Sequence, residues 1–240
     1  MDRNNPIPHW IQEGIMQRTE VEADHRKYSA ITVAVGVLMG VLMLSSPAQA
    51  INRGWYMGLG LINQSLSGEI DGTVSLTDPA YTVEPGKLEA GGGYAFQIGY
   101  GLDPNFALEL LIASSANKAN HAVAGSQNAT LRSGTVEMRI STGGQRLDFF
   151  TRIGWGVRSL EYANAATTTA PLQPALLTGR GGSYGVGLEH LTRKWGLEAA
   201  YNVDRVRFDH VTAGTLSGNL SPGLNASLKM FLFSINYYFR

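Results

Sequence analysis

Phe149-Phe150-Thr151-Arg152-Ile153-Gly154-Trp155-Gly156-Val157 is the stretch whose reading decides the fold. Side chains of an extended strand point alternately to its two faces. Phe149, Thr151, Ile153, Trp155 and Val157 therefore share one face, and Arg152, Gly154 and Gly156 lie on the other. A soluble sheet turns its greasy face inward and its charges to water. Here the charge sits with the glycines, on the cramped side, and the bulky apolar residues stand apart. That inversion makes sense for a closed wall with lipid outside and a narrow polar interior.

The same pattern recurs in both directions along the chain. Toward the N-terminus it runs through Trp55-Tyr56-Met57-Gly58-Leu59-Gly60-Leu61, then Tyr94, Phe96, Ile98 and Tyr100 against Ala95, Gln97 and Gly99. Phe106, Leu108, Leu110 and Ile112 oppose Ala107, Glu109 and Ala113, and Val136, Met138 and Ile140 oppose Glu137 and Arg139. Toward the C-terminus come Tyr184, Val186 and Leu188 against Ser183, Gly185, Gly187 and Glu189, and Trp195, Leu197, Ala199, Tyr201 and Val203 against Gly196, Glu198, Ala200 and Asn202. Phe231, Phe233, Ile235, Tyr237 and Phe239 against Ser234 and Asn236 close the series, which makes eight period-two strands.

Three connections are tight (101–105, 142–145, 192–194) and alternate with four long polar ones (roughly 65–88, 114–128, 161–180 and 209–226) rich in Ser, Thr, Asn, Gly and Ala. Short periplasmic turns alternating with long outer loops are the layout of an even-stranded membrane barrel. The expected fold is all-β, an eight-stranded antiparallel up-and-down transmembrane β-barrel. Trp55, Tyr100, Phe106, Phe149, Trp195, Tyr237 and Phe239 fall at the periplasmic strand ends and form one aromatic girdle.

Composition agrees. The 19 basic and 19 acidic side chains leave no net pull toward nucleic acid, and the absence of cysteine removes disulfides and thiol chemistry. Arg26 and Lys27, an apolar run to Leu44 and Ser45-Ser46-Pro47-Ala48-Gln49-Ala50 have the three parts of a signal peptide, with cleavage expected after Ala50. The rival is a retained anchor, but Ala30–Leu44 is shorter than the roughly 20 residues that cross a bilayer as a helix. The expected organisation is a leader at 1–26, a signal peptide at 27–50 and a barrel at 51–240.

The closing Phe231-Leu232-Phe233-Ser234-Ile235-Asn236-Tyr237-Tyr238-Phe239-Arg240 resembles the C-terminal signal read by the outer-membrane assembly machinery, although Arg240 follows the aromatic at which that pattern usually stops. With Gly54-Trp55-Tyr56-Met57-Gly58-Leu59-Gly60, the layout resembles the OmpA-like, Opa-like and OmpW-like barrel superfamily over essentially all of 51–240. The resemblance implies a place in the outer membrane of a Gram-negative bacterium. It implies contact with outer-membrane lipid and lipopolysaccharide, and delivery by that machinery through Phe231, Phe233, Ile235, Tyr237 and Phe239. Anchors, adhesins, small-molecule conduits and lipid A-modifying enzymes share the architecture, so it does not fix the activity.

An eight-stranded lumen is about wide enough to be filled by its own side chains. Gln97, Glu109, Glu137, Arg139, Arg152, Glu189, Glu198 and Asn236 lie a few residues from the periplasmic strand ends and are expected to converge into one belt. The belt reads either as a salt-bridged plug or as a gated ion or proton path. Lys87, Arg132, Arg158, Arg180, Arg205 and Arg207 fall toward the outer rim, where guanidinium forks suit lipopolysaccharide phosphates; the alternative is ordinary solvated charge at loop bases. The outer loops, including Ala163–Leu177, are candidate contacts for host or phage. His121, His190 and His210 have no serine at a recognisable dyad spacing, so no catalytic residue, metal or cofactor is expected. The sequence thus points to a non-enzymatic barrel with a structural, surface-interaction or adhesive role. A narrow small-molecule conduit comes second and a lipid A-modifying enzyme third.

Overall fold

The computed structural model describes residues 54–71, 74–76, 81–84, 86–121, 125–144, 146–167, 173–192, 194–214 and 216–239; the expected leader and signal peptide lie outside these residues. Eight long strands form the wall: β1 (Gly54–Gly68), β5 (Gly91–Gly101), β6 (Phe106–His121), β7 (Gly125–Ser141), β8 (Leu147–Thr167), β9 (Gln173–Leu191), β10 (Trp195–Ala213) and β11 (Leu216–Tyr238). Each pairs antiparallel with its neighbours in chain order, and β11 returns to β1 with Leu59 opposite Ile235, which closes the ring. Among the described residues, closure pairs both edges of each wall strand through the apolar band, a requirement for strands in hydrocarbon.

The inverted faces are those read from the sequence. Leu59 is 70% exposed and Ile153 55%, whereas Arg152 is 1% exposed and Glu189 fully enclosed. Around the base of the wall, Trp55 meets Tyr100 edge to face at 5.1 Å, and Trp195 meets Tyr237 at 4.8 Å. These pairs lie within the expected aromatic girdle.

The four long outer loops are a different matter. Most of 114–128, 161–180 and 209–226 is strand, because β6 to β11 continue well past their apolar outer faces. The physical reason is that the alternation continues with its sign reversed. On β10 the outward series Trp195, Leu197, Ala199, Tyr201, Val203 gives way to Arg205 and Arg207, while Val206 and Phe208 turn inward. On β7, Val136, Met138 and Ile140 give way to Arg132 outside and Leu131 inside. Above that level Leu131, Leu160, Tyr162, Leu177, Val206, Phe208 and Leu228 pack into an internal apolar cluster of the ordinary soluble kind. The lower band spans roughly the 9–11 residues that a tilted strand needs to cross a bilayer. The upper part is a water-facing extension of the same barrel. A bulge at Phe208/His210 shifts the face pattern near the top of β10.

The β1–β5 connection also has structure. A 3-10 turn (Glu69–Asp71) buries Ile70, and two short strands follow, β2 (Val74–Leu76) and β3 (Tyr81–Glu84), paired with each other. β2 meets β11 at Leu220, and β3 meets β8 at Ala166 and Thr167. The described parts of this segment thus link β11 and β8 at their outer ends. A final short strand, β4 (Lys87–Leu88), rejoins the wall on β6.

Candidate functional site

Eight inward residues were expected in one belt, and the structure brings all eight together with their partners. Arg139 on β7 donates to Glu189 at 2.7 Å, Asp148 at 3.2 Å and Glu198 at 3.4 Å. Arg152 on β8 donates to Glu109 at 2.5 Å and Glu198 at 2.9 Å. Gln97 donates to Asn236 at 2.6 Å, whose own amide donates to Glu189 at 2.8 Å. Glu137 is the least engaged member: one oxygen accepts from Ser183 at 2.8 Å, and the other lies 3.8 Å from the Arg152 guanidinium. The inward parity of each strand and the cross-strand registers, such as Glu109 opposite Glu137 and Arg139 opposite Arg152, fix the common height.

Four further participants were not singled out in the sequence. Asp148 ties Arg139 to the periplasmic turn, accepting from Thr142 Oγ1 and from the Gly143 amide at 3.0 Å, with Gly143 at φ +73°. Tyr56 donates to Glu109, and Tyr238 donates to both oxygens of Glu189 at 2.8 Å. Phe150 puts its ring beneath both guanidiniums, 3.9 Å from Arg139 and 4.7 Å from Arg152. Asp148 and Phe150 share face parity with Arg152 and Tyr238 with Asn236, whereas β1 carries no member of the expected belt and Tyr56 shares the inward parity of Gly58. That parity is the signal that would have found them.

Chemically, this is a dense, dry network. Moving a single ion out of water costs several kcal/mol even in a relaxed protein, and attraction repays the cost only where geometry and extra hydrogen bonds are good. Here both guanidiniums face more than one carboxylate, and two tyrosines and two amides donate to Glu109, Glu189 and Glu198. On the outer side of the belt, Ile62, Leu111, Met230 and Leu232 form an apolar cluster with the Phe150 ring, among buried polar residues such as Gln64, Thr135 and Asn202.

The rim residues divide. Arg158 is a correction: it is only 3% exposed and pairs with Asp204 inside the lumen, because it shares the inward parity of Arg152 along β8. Arg132 is outward but paired with Glu161 at 3.3 Å. Lys87 is exposed on β4 at the outer end, opposite Asn120. Arg180, Arg205 and Arg207 remain together on the outer face of β9 and β10.

The histidines also need one correction. Ser217 Oγ lies 2.9 Å from His210 Nε2, and Asn219 Oδ1 lies 3.1 Å from Nδ1, a juxtaposition made by cross-strand pairing and hidden from sequence spacing. The group sits on the exposed face of the β10–β11 hairpin, Thr212 shares the serine hydroxyl at 3.2 Å, and a neutral amide faces Nδ1. This is the hydrogen-bonding of a polar hairpin, without a carboxylate to support an imidazolium. His190 is exposed beyond Leu188 at the periplasmic end, and His121 has no described side chain. Among the described residues no cluster of His, Cys, Asp and Glu could hold a metal ion.

Of the expected assembly-signal residues, Phe231, Phe233, Ile235 and Tyr237 line the outward face of β11 and Phe239 follows its end; Phe231 packs on Tyr201 at 5.5 Å and Phe239 on Tyr237 at 5.1 Å.

Residues 34–239 match the family described as outer membrane protein beta-barrel domain. No curated protein sequence matches the chain. Among solved structures, Neisserial surface protein A is similar, with TM-score 0.51 at 11% identity over 78% of this chain and 97% of that one. The outer membrane protein OprG from Pseudomonas aeruginosa is similar at TM-score 0.50 and 11% identity, over 81% of this chain and 100% of that one. At such identities the likeness speaks to the fold, and both of those barrels are covered nearly end to end.

Proposed function

This chain belongs to the outer membrane protein β-barrel family and resides in the outer membrane of a Gram-negative bacterium, and from that premise we propose that it is a closed, non-conducting, non-enzymatic barrel. Its role is structural, interactive or adhesive, and it is carried on the water-facing extension. The observation that carries this reading is the belt: Arg139 and Arg152, each almost wholly buried, cross-link carboxylates contributed by β6, β7, β8, β9 and β10. A solute passing along the axis would have to part these ion pairs and leave charges unpaired in a dry interior, at several kcal/mol each. The Arg158–Asp204 pair and the upper apolar cluster support the same reading.

A conduit for apolar molecules needs a continuous apolar lumen, which the belt interrupts. A lipid A-modifying enzyme needs an activated nucleophile, for which the exposed Ser217–His210–Asn219 group, with an amide rather than a carboxylate facing Nδ1, is a poor candidate. Planar-bilayer recording of the refolded barrel, beside mass spectrometry of lipid A from cells with and without it, tests the proposal. No unitary current and unchanged lipid A is the expected result. Steady unitary steps would establish a conduit, and altered acylation would establish an enzyme; either overturns the proposal.

A further inference from the structure

Three guanidiniums stand in one surface groove, and nothing acidic lines it. The groove, about 610 Å³, crosses the outer face of β9, β10, β11 and β1 just above the apolar band; Arg180, Arg205 and Arg207 line it with Gly68, Asn225 and Ser227. Arg180 and Arg207 are direct cross-strand partners. Like charges placed opposite one another across a ladder are destabilising, so this pairing calls for an anion between them. Two acids stand at its margins: Asp209 reaches Arg180 at 3.5 Å, and Glu69, beside Gly68, accepts from the backbone and side-chain amides of Asn225 at 2.7 and 3.2 Å, which leaves three guanidiniums in the groove against two peripheral carboxylates. The contrast with β7 and β8 is direct, since Arg132 there has Glu161 as its own counter-charge.

What lies below the groove identifies the ligand. One step down each strand, the outward positions become Val203 and Tyr201 on β10, Lys229 and then Phe231 on β11, and Gly182 and then Tyr184 on β9. A Cβ at Gly182 would meet nothing nearer than the Gly154 carbonyl at 3.9 Å, so the wall there is recessed by one side chain, beside the exposed ring of Tyr184. Cations above and a recessed apolar wall below match an amphiphile with an anionic head. Guanidinium forks favour the phosphate oxyanion, which they can grip with two parallel hydrogen bonds.

We propose that Arg180, Arg205 and Arg207 form a binding site for the phosphate of an outer-leaflet glycolipid of the lipid A type, with its acyl chains against Gly182, Tyr184, Tyr201 and Phe231. The site is on the wall, so it goes beyond the closed-lumen reading and stands or falls separately from it.

The test is native mass spectrometry of the refolded barrel in detergent, titrated with bis-phosphorylated lipid A, with the same lipid stripped of both phosphates, and with inorganic phosphate alone. The expected result is retention of the phosphorylated lipid and weak retention of the stripped one. Replacing a charge-assisted contact is worth about ten-fold in affinity, so R180Q with R205Q and R207Q should lower retention by about a hundred-fold or more while R132Q leaves it unchanged. Far-ultraviolet circular dichroism of each variant verifies folding, and the single variants R205Q and R207Q replace the triple one if it does not fold. Equal retention of both lipids, or equal loss in R132Q, would overturn the site. Displacement of the lipid by equimolar inorganic phosphate would overturn the lipid as its source.

Discussion

Arg152→Met isolates the electrostatics of the belt from its packing. Methionine keeps an unbranched stem against the Phe150 ring, so the apolar contact survives while the guanidinium is lost. Glu109 then loses its 2.5 Å contact and Glu198 its contacts at 2.8 and 2.9 Å. Glu198 retains Arg139 at 3.4 Å and Gln97 at 3.3 Å, but Glu109 retains only Tyr56 and a longer 3.7 Å approach to Arg139. Removing one partner of a buried pair costs about 3–5 kcal/mol, because the other charge stays buried without compensation. Adding Glu109→Gln removes that stranded charge. The double variant should therefore lie well above the sum of the single ones, with a coupling of roughly 1–3 kcal/mol. Urea unfolding in phospholipid vesicles, followed by fluorescence of Trp55, Trp155 and Trp195 on the outward face, measures each stability. A loss below about 0.5 kcal/mol for Arg152→Met, as for an ordinary surface change, or simple additivity of the two substitutions, would refute the buried-network argument.

Ile153→Arg, in the middle of the outward apolar series of β8, should cost about 2–4 kcal/mol in the same vesicle assay, whereas Thr178→Arg above the band should cost about 0–1 kcal/mol. Gly196→Ala should destabilise the barrel by about 1–3 kcal/mol, since its Cβ would come within 1.9 Å of the Glu189 carboxylate, which Arg139, Asn236 and Tyr238 hold in place. Gly134→Ala is the control, with its nearest neighbour, Val157 Cγ2, at 3.9 Å, and should be near neutral by thermal unfolding. Trp195→Ala removes the edge contact with Tyr237 and should cost about 0.5–1.5 kcal/mol beyond its lost area.

The wall was legible because lipid outside and a tight interior impose opposite chemistry on alternate residues, and eight segments obey that rule without a break in register. The belt was legible for the same reason: a charge sharing its parity with Gly154 or Gly185 has nowhere to point but inward. The outer extension was not, because above the bilayer the greasy series moves to the other face. Tyr162, Leu177, Val211 and Leu220 then point inward from stretches rich in small and polar residues, which read as loop. Arg158 was misplaced by height, which put it at the rim, when its parity with Arg152 already put it inside. The segment that links β11 and β8 had no such signal. Its pairings with β8 and β11 join residues far apart in the chain, and neither periodicity nor composition marks them.

The most direct test of the closed lumen uses the absence of cysteine from the chain, which lets one introduced thiol report alone. Ser183 is 4% exposed on the inner face of β9, hydrogen-bonded to Glu137, and Ser67 is exposed on the outer face of β1. With a small cationic methanethiosulfonate supplied to both sides of reconstituted vesicles, Ser183→Cys should remain unmodified over the time in which Ser67→Cys reacts completely. Comparable rates at the two positions would mean that water and solute reach the belt, and would contradict the account.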